Sequence, residues 1–89
     1  MSTRTVEIGS SVGLHARPAA LFVQAVNDTG LPITIAKPGG APVPANSMLG
    51  VMALGAKNGE TVELTCDAEG ADEALDSLVE LLKRDLDAE

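Results

Sequence analysis

Apolar and polar positions along the chain repeat with two periods. Over 4–8, Val6 and Ile8 alternate with Thr5 and Glu7, the period of a strand with one buried face. Leu31, Ile33 and Ile35 alternate with Pro32, Thr34 and Ala36, and Val62, Leu64 and Cys66 with Thr61, Glu63 and Thr65, predicting strands over 31–36 and 61–66. A short strand over 41–45 contains Pro42 and Pro44, which donate no ladder hydrogen bond, so it fits only at an edge. The helical period appears after Pro18, where Ala19, Phe22, Val23 and Val26 share one face up to the stop at 27–30. A second helix over 48–54, capped by Asn46 or Ser47, is apolar on almost every side. The third, over 71–86, aligns Ala71, Leu75, Leu78, Val79, Leu82 and Leu86. Asp72 and Glu73 near its start and Lys83 and Arg84 near its end match the helix dipole, and Glu80 is spaced to pair with Arg84.

The element order is therefore βαββαβα. Alternating rather than continuously apolar strands leave one sheet face in water, which predicts an α+β fold: an open-faced two-layer sandwich with a four-stranded antiparallel sheet and three helices on one face. The 89 residues fit one domain, 1–89, with no internal repeat.

Composition narrows the functions open to such a fold. Hydrophobic residues make up 45% of the chain but aromatics only 1%, so the core is aliphatic around Phe22. A formal net charge of −7 argues against nucleic acid and towards protein partners. Cys66 stands alone and reads as a small buried hydrophobe; no spacing suggests a metal site. No apolar run approaches the roughly 20 residues of a membrane helix, and no leader-like segment opens the chain, so a cytoplasmic protein without membrane insertion is expected.

Candidate chemistry concentrates at Gly13-Leu14-His15-Ala16-Arg17-Pro18-Ala19-Ala20, which holds the single histidine. Pro18, with φ fixed near the helical value, suits the first turn of a helix and puts His15 at or beside its cap. A neutral imidazole caps poorly, so N–H donors of the first turn stay available to an anion, and the Arg17 guanidinium can grip phosphate oxygens in pairs. The helix dipole disfavours imidazolium and keeps a nitrogen lone pair available. A nucleophilic histidine beside a phosphate cradle of Ala16, Arg17 and Pro18 follows. A histidine that merely caps is the competing reading.

These residues closely resemble the phosphorylation-site signature of the HPr family, the histidine-containing phosphocarriers of the bacterial phosphoenolpyruvate:sugar phosphotransferase system. The segment from Ser47 to Ala56 is similar to that family's serine-site helix, and the likeness runs along essentially the whole chain. The resemblance implies that His15 accepts a phosphoryl group on Nδ1, the pros nitrogen, from Enzyme I charged by phosphoenolpyruvate, and passes it to IIA proteins or domains for sugar uptake. The protein would be a monomeric carrier without turnover of its own, with no cofactor beyond its covalent cargo. Ala16, Ala20 and Gln24 on the first helix, with Met48, Leu49 and Met52 on the second, would form the docking surface, unless Leu49 or Met52 belongs to the core. Ser47 resembles the regulatory serine of an ATP-dependent HPr kinase/phosphorylase, although Asn46 replaces the lysine frequent before it in regulated members. An alternative job on the same fold is a regulatory HPr-like paralogue, in nitrogen-related phosphotransfer or in binding a transcription factor.

Overall fold

The elements follow in the order β1 (Ser2–Glu7), α1 (Ala16–Thr29), β2 (Thr34–Ala36), β3 (Val43–Pro44), α2 (Met48–Ala53), β4 (Thr61–Cys66) and α3 (Ala71–Lys83). The computed structural model describes residues 2–9, 13, 14 and 16–84. All strands pair antiparallel in the order β1-β4-β2-β3. β4 is central, with Ser2 to Glu7 opposite Cys66 to Thr61 on one side and Thr34 to Ala36 opposite Thr65 to Glu63 on the other.

Strands β1, β2 and β4 turn alternate residues inward. Val62, Leu64 and Cys66 of β4 join Val6, Ile8 and Ile35 in a single core with Phe22 and Val26 of α1, Val51 of α2 and Leu75, Leu78 and Leu82 of α3. Thr3, Thr5 and Glu7 remain exposed on the other sheet face, so the helices cover one face only. This is the open two-layer sandwich expected from the pattern, and the proline-bearing β3 lies at its edge. Cys66 is free and buried.

Element ends depart from the periodicity for local reasons. The strand expected from Leu31 begins only at Thr34, because the Ile33 N–H donates to Leu31 O at 3.0 Å in a tight turn and Pro32 has no N–H to give a ladder. The last helix closes at Lys83, and Arg84 is extended at φ −75°, ψ 152°, so the regular helical spacing ends before it; Glu80 meets Lys83 at 3.9 Å. Leu86 lies outside the described residues.

The start of α3 and strand β1 are tied by charge. Arg4 Nε donates to Asp76 Oδ1 at 2.8 Å and Nη2 reaches Asp72 at 3.4 Å, while the Ser2 hydroxyl donates to Asp72. The Ser2 hydroxyl, and then Arg4, hold the Asp72 carboxyl below its ordinary range.

Candidate functional site

Helix α1 begins at Ala16, the chain neighbour of His15, and Pro18 sits in its first turn as expected. His15 itself lies outside the described residues. Its other neighbour, Leu14, is buried and donates its N–H to Ala56 O at 2.8 Å. Gly13 adopts φ +75°, and a Cβ there would stand 2.4 Å from Ala56 O and 2.8 Å from Lys57 Cα. Only glycine allows both that conformation and that approach. The chain entering the histidine position therefore rests on the loop that links α2 to β4.

That loop is itself pinned. Gly59 N donates to Ile8 O at 2.9 Å, Glu60 N to Lys57 O at 2.9 Å, and Lys57 N to the Glu60 carboxylate at 3.0 Å. The Lys57 N–H, and then Lys37 with its Nζ 3.2 Å away, hold the Glu60 carboxyl below its ordinary range.

Helix α2 packs directly against α1 and β3. Ser47 caps it: Oγ accepts from Gly50 N at 3.1 Å, as its residue type predicts. Val51 plugs its inner side into the core at 0% exposure, whereas Leu49 is 84% exposed and Met52 is 37% exposed.

A family model described as the PTS HPr component phosphorylation site matches residues 2–84. The chain belongs to the HPr family. It is 52% identical over 87 residues to the phosphocarrier protein HPr of Streptomyces coelicolor, covering 98% of this chain and 94% of that protein. It is 36% identical over 85 residues to the HPr-like protein Crh of Halalkalibacterium halodurans, covering 96% of this chain and 100% of that one. Among solved structures, HPr from Thermoanaerobacter tengcongensis superposes with a TM-score of 0.89 at 38% identity, over 100% of this chain and 99% of the other. This chain is accordingly an HPr-type phosphocarrier of the phosphotransferase system.

Against that membership, the expected site residues sort by exposure. Ala16 and Arg17 are exposed in the first turn of α1, and Ala20 and Gln24 are exposed one and two turns further on, a spacing that keeps Ala16, Ala20 and Gln24 on one face. Pro18 is fully buried and has no N–H. Of the three residues expected to bind phosphate it can serve only by fixing the backbone of the turn. On α2, Met48 packs partly against the core, whereas Leu49, expected on the docking surface with core packing as the competing reading, projects furthest into solvent.

Three participants escape the sequence pattern. Leu21 adds an exposed apolar side chain to α1 at 37% exposure; its place off the buried stripe was the available signal. The seat formed by Ala56 and Lys57 had none, because it depends on contacts distant in sequence.

Proposed function

We propose that this chain takes a phosphoryl group onto Nδ1 of His15 from Enzyme I charged by phosphoenolpyruvate, and delivers it to IIA proteins or domains of sugar uptake. The observation that carries the reading is the anchoring of the Gly13–Ala20 signature: its entry is clamped to Ala56, and its exit is the exposed first turn of α1 holding Arg17. On loading, the Nδ1 lone pair forms the new N–P bond as the pair of the breaking bond returns to the donor's leaving atom; on delivery, a lone pair of the acceptor attacks phosphorus and the pair of the N–P bond returns to Nδ1, so no redox partner or cofactor is consumed. Arg17 and the free N–H groups of the first turn offset charge on the phosphoryl oxygens.

Because one site both receives and gives, its partners must alternate on one surface. Ala16, Ala20 and Gln24 with Met48, Leu49 and Met52 supply it, a small apolar patch with a polar border suited to transient association. The protein acts as a cytoplasmic monomer and a carrier without turnover. Identity of 52% to an HPr against 36% to a Crh favours this over a regulatory paralogue. Phosphorylation of Ser47 by an HPr kinase/phosphorylase would place about two negative charges at the head of α2 and repel the donor.

Incubation with phosphoenolpyruvate and Enzyme I should add one acid-labile phosphoryl group, measured by intact-protein mass, and His15→Ala should abolish the gain. Native protein that gains nothing, or a His15→Ala variant that still gains, overturns the reading.

A further inference from the structure

Two segments far apart in the chain meet at the carboxylate of Glu60. Lys57 donates its backbone N–H to Oε1 at 3.0 Å, and Lys37, just past β2, brings Nζ within 3.2 Å of Oε2. The Glu60 backbone returns the first bond, donating its N–H to Lys57 O at 2.9 Å, so residues 57–60 form a turn latched twice, once by main chain and once by side chain. Glu60 O also accepts from Ile8 N at 2.9 Å, which fixes one end of the latch to β1. The other end, Lys57, follows Ala56, whose O receives the Leu14 N–H at 2.8 Å, and Gly13 packs against both residues. The Lys57 N–H, then Lys37 and more weakly the charges of both lysines, hold the carboxyl below its ordinary range, the direction expected where the charged form is the acceptor.

We propose that Glu60 is a positioning residue for phosphoryl transfer: its carboxylate, as acceptor for the Lys57 N–H, holds the α2–β4 loop in the shape on which Gly13 and Leu14 seat the signature. The inference rests on the function proposed above, and Glu60 acts through residues 13 and 14. With the latch closed, Ala56 O presents one fixed acceptor to the Leu14 N–H, and the chain leaves that bond one residue before His15. Without the carboxylate, the Lys57 N–H turns to water and the turn keeps one bond of two, so the loop samples positions that stretch or break the Leu14 bond. A misplacement of about 1 Å near a reacting group costs up to about a hundredfold in rate, and a loop that stays seated part of the time costs less. The oxygen acceptor carries the role rather than the negative charge, because the ion pair with Lys37 is open to solvent and contributes little.

Three variants separate these contributions. Glu60→Ala removes the acceptor, Glu60→Gln keeps an oxygen in its place and removes the charge, and Glu69→Ala removes an equal charge from the exposed turn before α3. Amide exchange is read by NMR at Leu14 and at the buried β4 residues Val62 and Leu64, and the second-order rate constant of phosphorylation by phosphorylated Enzyme I is measured on the same proteins. In Glu60→Ala the Leu14 N–H should exchange about tenfold faster while Val62 and Leu64 keep native rates, and phosphorylation should slow about threefold to fivefold. Glu60→Gln should restore both to within about twofold of native, and Glu69→Ala should match the native protein. Equal quickening at Leu14, Val62 and Leu64 would mark a general loss of stability and overturn the positioning role. So would a native rate of phosphorylation in Glu60→Ala, or a Glu60→Gln variant that fails as Glu60→Ala does. Each of these outcomes leaves the carrier function standing; a native protein that Enzyme I never phosphorylates overturns both.

Discussion

Helices α2 and α3 solve opposite problems. α3 buries Leu75, Leu78 and Leu82, turns acidic residues to solvent and is tied to β1 through Arg4. α2 has six residues and no charge, hides only Val51 completely and leaves Leu49 in solvent. So short a helix gains little from its own hydrogen bonds, and it depends on the Ser47 cap, on α1 and on the close approach of Gly50 to Val43, at 3.4 Å from a would-be Cβ. In the proposed function α2 belongs to the surface that meets partners, and such a surface cannot also bury its apolar residues or cover them with fixed ion pairs. Its stability is supplied by neighbours, and its side chains stay available.

The contrast breaks most sharply at one leucine from each helix. Leu75→Ala, at 0% exposure, should destabilise the fold by about 2–5 kcal/mol in chemical denaturation while the folded fraction transfers phosphoryl groups at the native rate. Leu49→Ser, at 84% exposure, should change stability by less than about 0.5 kcal/mol yet slow transfer from Enzyme I several-fold. Equal effects in both assays for the two variants would erase the distinction.

Ser47→Ala sharpens it at intermediate size. Loss of the bond to Gly50 N should cost about 1 kcal/mol, and amide exchange should quicken in α2 before α3. Uniform quickening would show that α2 does not open separately.

The smallest expected effect belongs to the charged side. Asp72 and Glu60 are held below their ordinary range in the folded chain, so the unfolded chain binds more protons as acid is added. Their contribution is present above the usual carboxylate value of about 4 and is lost as pH falls through the lower folded values. The thermal midpoint should therefore drop through this window, and Asp72→Asn should make the drop shallower. An unchanged slope would mean that the Ser2–Arg4–Asp72 contacts contribute nothing to pH dependence.

Much of this was legible in the residues. Period-two alternation placed β4 at Thr61–Cys66, and prolines assigned β3 to an edge, because pleating and a missing N–H act within a few residues. The signature around His15 and the apolar helix after Ser47 pointed to the HPr family, whose model matches residues 2–84. Distinguishing Met48 from Leu49 was beyond the pattern, since a helix apolar all round gives no sign of which side faces the core.

By itself, then, the sequence determined the elements, their one buried face and the chemistry of the Gly13–Ala20 stretch. Tertiary structure decided where that stretch rests. Leu14 reaches Ala56, and Gly13 meets Lys57, only after β1 and β4 have paired and drawn the α2–β4 loop beneath it, a contact spanning some forty residues that no local periodicity encodes. The same closure leaves Leu49 outside and Met48 partly within, because the direction of α2 is set by α1 and β3 rather than by α2 itself.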